Sequence, residues 1–163
     1  MSDVERRDAS AAIFGKVVET DYFRRAGTVA LFMSLPDEPQ TEDFLREMRH
    51  CKRLVVPRVS EGGIIDFYVY SPDRLQYGAF GIIEPSIDAE MCPANEIDLI
   101  VVPGVAFTRD GCRLGRGGGF YDRFLGRSDL HAATIGICFD VQIVSSLPTE
   151  EHDRRVDMVI TER

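Results

Sequence analysis

Short, mainly apolar runs recur along this chain, separated by helical or turn-forming segments, and that pattern restricts the fold more than any other feature. Residues 28–33 (TVALFM), 53–57 (RLVVP), 98–102 (DLIVV), 133–138 (ATIGIC) and 158–160 (MVI) are such runs. A strand with one wet face alternates apolar and polar side chains, whereas a strand of a parallel sheet is buried on both faces and reads as continuously apolar. Ala9, Ile13 and Val17, at i, i+4 spacing, predict an amphipathic helix over 3–22 with Ser2 as N-cap. Thr41 caps a second helix that buries Phe44, Leu45 and Met48, and a short helix is expected around 121–125. Residues 64–70 read as a further strand entered through Gly62 and Gly63, while 78–96 shows turn chemistry and is expected to be a surface excursion. Strands alternating with helices imply an α/β chain with a mostly parallel sheet covered on both faces. At 163 residues it is expected to be a single domain.

Charge narrows the partners. Nineteen basic against 27 acidic residues give a net charge of -8, which repels nucleic-acid backbones and anionic membranes. Within it lies a basic island, since residues 109–127 hold five arginines and two aspartates. Such an island suits a small anion. The four cysteines, Cys51, Cys92, Cys112 and Cys138, form no CxxC pair and have no histidine at zinc-finger spacing, so they read as reduced thiols. The first residues lack an apolar signal segment, and the run 99–107 is too short to span a bilayer. A cytoplasmic, monomeric protein acting on a small molecule is expected.

The island contains a glycine-rich loop. Gly115, Gly117, Gly118 and Gly119 fall within five residues, after an apolar strand and before a helix. Glycines let the backbone approach a ligand and aim its N–H groups, the helix start adds positive potential, and Arg113 and Arg116 supply charge-assisted bonds to phosphate. A glycine-rich turn with solvated arginines is the plain alternative. The dinucleotide fingerprint would need glycine at Phe120, and a P-loop would need a Lys-Ser or Lys-Thr pair. These residues alone support an anion site suited to phosphate.

The string RLGRGGGFYDRFL, preceded by DLIVVPGVAFTRDGC and followed by EEHDRRVDMVITE, resembles the signature of the 5-formyltetrahydrofolate cyclo-ligase family. The likeness extends to VALFMSLPDEPQT and VVPRV. It implies a three-layer α/β/α sandwich and conversion of 5-formyltetrahydrofolate to 5,10-methenyltetrahydrofolate, with ATP hydrolysed to ADP and phosphate in the presence of Mg2+. By the same resemblance Arg113, Leu114, Gly115, Arg116, Gly117, Gly118, Gly119, Phe120 and Tyr121 would form the ATP loop, with Arg116 and Tyr121 catalytic. Met33, Glu38, Arg116, Gly117, Gly118, Gly119 and Phe120 would bind the folate. Asp122 and Asp157 would hold magnesium.

Each role has a plainer counterpart. Asp122 sits in the first turn of a helix, where a carboxylate suits the dipole and Arg123 could pair with it. Asp157 could simply precede an edge strand, Met33 belong to the core, and Glu38 be a solvated loop charge. Phe120 and Tyr121 would be core anchors or stack on a pterin, and His152, among charged neighbours, reads as a surface residue. Family members usually carry a basic helix ahead of the region that Asp3 to Ile13 resembles, so this domain of 1–163 is expected to lack it. Arg6, Arg7 or Arg113 would then complete the phosphate clamp. A non-catalytic folate- or nucleotide-binding relative stays open as the alternative, and an RNA-associated module is opposed by the acidic total.

Overall fold

The computed structural model describes residues 1–78, 81–151 and 153–163; His152 lies outside them. Helix α1 (Asp3–Glu19) begins where the Ser2 hydroxyl accepts the Glu5 N–H at 3.1 Å, and it buries Ser10, Ile13, Phe14 and Val17 along one stripe. The helix expected over 3–22 is two helices. Thr20 is extended, its hydroxyl donates to the Val17 carbonyl at 2.7 Å and accepts from Phe23 N–H at 3.2 Å, closing α1 and opening α2 (Asp21–Arg25). A hydroxyl that bonds backbone on both sides competes with the helical ladder.

Strand β1 (Thr28–Ala30) leads through an exit loop to α3 (Glu42–Met48), which buries Phe44 and Leu45. Thr41 stands at the start of α3 but does not cap it; its hydroxyl donates instead to the Phe32 carbonyl at 2.7 Å, fastening the helix to the strand it follows. Next come β2 (Arg53–Val59), β3 (Ile65–Val69), a small hairpin of β4 (Leu75–Tyr77) and β5 (Ile83–Pro85), and β6 (Met91–Cys92). The expected surface excursion is therefore only partly one, because β6 joins the main sheet and buries Cys92. Two residues are too few to show a period. Strand β7 (Leu99–Val102), the hairpin β8 (Ala106–Phe107) and β9 (Arg113–Leu114), α4 (Phe120–Leu125), β10 (Ala133–Ile137) and β11 (Met158–Ile160) complete the chain.

The main sheet has the order β11-β10-β7-β1-β2-β3-β6. Pairings from β11 to β2 are parallel, and β3 and β6 are added antiparallel. Adjacent strand residues divide between two cores. Val29, Leu54, Val56, Leu99, Val101, Ile135 and Ile137 pack with Ile13, Phe14 and Val17 of α1 and with Phe44 of α3. Ala30, Val55, Ile100 and Val102 pack with Phe107 and with Phe124 of α4. The result is the expected α/β/α arrangement, with a thin second layer built from six-residue α4 and the β8–β9 hairpin. No helix of the described residues is long and apolar enough to cross a membrane.

Two aspartates set the amino ends of neighbouring strands. Asp98, just before β7, accepts the N–H groups of Gly27 and Thr28 at 2.9 Å each. Asp157, just before β11, accepts the Thr134 N–H at 2.9 Å and the Thr134 hydroxyl at 3.2 Å. The chain runs from β1 out to β2 on one side and later returns to β7 on the other, so the strand order reverses between β1 and β7. Ligands of parallel α/β sheets bind outside the strand carboxyl ends at such a reversal.

Candidate functional site

Two loops leave the sheet at this reversal. The first follows β1 and is held by its own polar atoms. Glu38 N–H donates to the Leu35 carbonyl at 3.0 Å while the Glu38 carboxylate accepts Leu35 N–H at 2.8 Å. The Gln40 side chain donates to the carbonyls of Glu38 and Leu35, and Gln40 N–H donates to Ser10 of α1 at 2.8 Å. Glu38 is only 5% exposed, so it is not the solvated loop charge its two flanking prolines suggested. Burial pushes its carboxyl pKa up, and the Leu35 N–H and the nearby Arg116 only partly oppose that. Met33 is half-buried against the α1-side core.

The second loop follows β7 by way of the β8–β9 hairpin, so it leaves β9 rather than the sheet strand directly. Gly117 and Gly119 have φ of 97° and 69°, left-handed values that exclude most other residues. Gly119 occupies the N-cap of α4, which at six residues is too short to carry much of a helix dipole, so the positive potential expected from the helix start is small. Arg113 is the buried one, its side chain 5% exposed, with Nη1 donating to the Pro103 carbonyl at 3.0 Å and Nη2 3.9 Å from Asp122. Its Nε is buried with no hydrogen-bond partner among the described residues. Burial lowers the guanidinium pKa, against the pull of Asp122.

Arg116 spans the cleft. Its Nη2 donates to both Asp37 oxygens, at 2.9 and 3.1 Å, and lies 3.7 Å from Glu38 Oε2. Tyr121 lies under the Arg113 guanidinium, 5.4 Å from it, and its buried hydroxyl has no partner among the described residues. Burial, with the Glu38 charge second, raises the phenol pKa so that the hydroxyl keeps its proton. Phe120 is partly exposed beside the loop and is backed by Arg123, whose guanidinium is 5.4 Å from the ring and donates to the Gly63 carbonyl at 2.8 Å.

The expected pairing of Asp122 with Arg123 is thus replaced by two longer contacts, with Arg113 and with Arg154 N–H at 3.4 Å. Asp122 and Asp157 share no bonding partner, and no group of three or more His, Cys, Asp or Glu side chains among the described residues could hold a metal ion. Asp157 and Thr134 satisfy each other at the strand ends. Asp122 and Asp157 together do not fit a resident divalent-cation site, since each carboxylate is bonded elsewhere.

Sequence reasoning assigned Met33 and Glu38, at the end of the first strand, and residues 113–121 to one site; β1 ends at Ala30, so Met33 lies in the exit loop, and the fold brings that loop and the glycine loop face to face. It missed Asp37, which the LPDEPQ segment contained without any sign of its partner. Missed as well was a cavity of about 140 Å³ beside Arg113, lined also by Thr149, Asp153, Arg154 and Arg155. A larger open groove of about 370 Å³, bordered by Thr20, Tyr22, Arg25 and Met158, touches neither loop. The basic island is not free charge either. Arg109 meets Asp140 at 2.9 Å, Arg127 meets Asp129 at 2.8 Å, and Arg116 meets Asp37, so carboxylates outside the glycine loop neutralise most of it.

Comparison with known proteins identifies the family and agrees with the fold. The 5-formyltetrahydrofolate cyclo-ligase family matches residues 1–162. The 5-formyltetrahydrofolate cyclo-ligase of Escherichia coli K12 is 35% identical, over 83% of this chain and 78% of its own length. The mouse protein of the same name is 29% identical over 99% of this chain and 86% of its own. The NMR structure of Aquifex aeolicus 5,10-methenyltetrahydrofolate synthetase superposes with a TM-score of 0.88 at 35% identity, covering 100% of this chain and 82% of that one.

Proposed function

The chain belongs to the 5-formyltetrahydrofolate cyclo-ligase family, and from that premise we propose that its reaction takes place in the cleft between the β1 exit loop and the glycine loop. The reaction is the ATP-dependent conversion of 5-formyltetrahydrofolate to 5,10-methenyltetrahydrofolate, releasing ADP and phosphate. The observation that carries the placement is the Arg116–Asp37 bridge, which joins the candidate phosphate loop to the candidate folate loop at the point of strand reversal.

In this reading the N–H groups of residues 115–119, with Arg113 and Arg116, hold the triphosphate, while Met33, Glu38 and the Phe120 ring border the folate. The formyl oxygen on N5 attacks the γ-phosphorus and the bond to ADP breaks, leaving an imidate phosphate. N10 then attacks the formyl carbon and gives up its proton to solvent, and the bond from that carbon to the phosphate oxygen breaks, closing the ring as phosphate leaves with the formyl oxygen. Such chemistry needs positioning and charge neutralisation and no protein nucleophile. Arg116 neutralises charge on the transferring group, and the protonated Tyr121 hydroxyl, which lacks a partner among the described residues, is available to donate to an oxygen brought by a ligand. Magnesium is held mainly by phosphates and water when it arrives with a nucleotide, and Asp122 would supply its protein oxygen. We also infer a monomeric, cytoplasmic protein that binds neither nucleic acid nor membrane, supported by the net charge of -8 and four unpaired cysteines.

The test is turnover followed by the near-ultraviolet absorbance of the methenyl product, with and without ATP. Product that forms only with ATP is expected. Turnover without ATP overturns the phosphorylation step, and binding of both ligands without turnover returns the chain to a non-catalytic binding role.

A further inference from the structure

We propose that Asp37 is an exchangeable counter-ion that occupies Arg116 in the free protein and gives way to a phosphate oxygen of ATP, so that it sets how tightly this chain holds ATP. The inference rests on the reading of the glycine loop as the phosphate site. Its evidence is the difference between the two carboxylates that face Arg116. Glu38, 7% exposed by side chain, is committed to the turn through Leu35 N–H and stays 3.7 Å from the guanidinium. Asp37, 69% exposed, takes both hydrogen bonds from Arg116 Nη2. A partner this exposed is held weakly, since ion pairs between solvated side chains contribute little.

Charge balance points the same way. Arg113 already faces Asp122, and Arg116 faces two carboxylates, so the charge of these two arginines is balanced within the protein before a polyanion meets them. A phosphate that takes Arg116 replaces one anion with another, and water takes over the freed Asp37 carboxylate at little cost. Asp37 acts through Arg116 and is a positioning residue, not a catalytic one. Its position in the chain, 79 residues from Arg116, makes the exchange depend on the two loops meeting across the cleft.

The experiment is titration of the full chain with ATP at low salt for the parent, Asp37→Asn, Arg116→Gln and the double variant, together with steady-state KM and kcat. Asp37→Asn should bind ATP about two- to fivefold more tightly and lower the KM for ATP with its melting temperature unchanged. Arg116→Gln should bind ATP more weakly, and in that background the Asp37→Asn gain should disappear. If Arg116→Gln binds ATP weakly but Asp37→Asn is no tighter than the parent, the exchange is overturned alone. An equal gain in the Arg116→Gln background overturns it too, because Asp37 would then act only as a diffuse charge. If Arg116→Gln binds ATP like the parent, the phosphate reading of the loop falls and the exchange falls with it.

Discussion

Asp122 is the carboxylate that faces the buried Arg113 guanidinium, at 3.9 Å, and it does so from the first turn of α4. Arg113 is in turn bonded to Pro103 at the end of β7, so this pair ties the glycine loop to the sheet. Replacing Asp122 with Asn removes the compensating charge from a cation that is 5% exposed. The expected cost is about 1–3 kcal/mol, below that of breaking a fully buried pair because the separation is long. Urea unfolding measures it, and a variant as stable as the parent would show that Asp122 does not compensate the buried guanidinium.

Glu38 predicts a pH dependence. Its native carboxyl pKa lies above the ordinary value of 4.5, so the folded state holds that proton more firmly than the unfolded state does. The stability this contributes is fully present below pH 4.5 and is lost as pH rises through the native pKa. Glu38→Gln keeps an acceptor for Leu35 N–H and removes the titration. The variant should therefore gain on the parent in melting temperature between acid and neutral pH, where each ~1 kcal/mol corresponds to about 2–4 °C. A difference independent of pH would contradict the burial of this group.

Two glycines should respond in opposite directions to alanine. Gly15 is exposed in the middle of α1 with nothing near a new methyl group, so Gly15→Ala should stabilise by about 0.5–1 kcal/mol. Gly117 also has open space around it, but its φ of 97° is left-handed, so Gly117→Ala pays conformational strain of about 1–2 kcal/mol or reshapes the loop. Turnover should fall by more than stability does, because the loop's N–H groups lose their aim. Thermal melts beside ATP titrations separate the two effects, and equal ATP binding by Gly117→Ala would deny the loop its phosphate role.

The sheet was legible in the linear chain because burial on both faces writes itself locally as a run of apolar residues. The runs at 53–57, 98–102 and 158–160 became β2, β7 and β11 at nearly the expected places. Ser2 capped α1 as expected, since an N-cap bond spans three residues. The break at Thr20 was not legible, because a threonine hydroxyl near a helix end has several backbone partners within reach and only the turn toward β1 selects among them.

The site divides in the same way. Clustered glycines and arginines made an anion loop the expectation, since conformational freedom and charge are properties of the residues themselves. Which arginine would meet which carboxylate depended on strand order, and strand order is not a local property. By setting β1 beside β7, the fold placed Asp37 against Arg116 and buried Glu38 behind it. It also directed Asp122 to Arg113 rather than to its chain neighbour Arg123, which turned away to the Gly63 carbonyl. Residue types determined where backbone freedom and positive charge would cluster; only tertiary packing decided which of those charges are paired, because pairing energy depends on distance and burial that no stretch of sequence specifies alone.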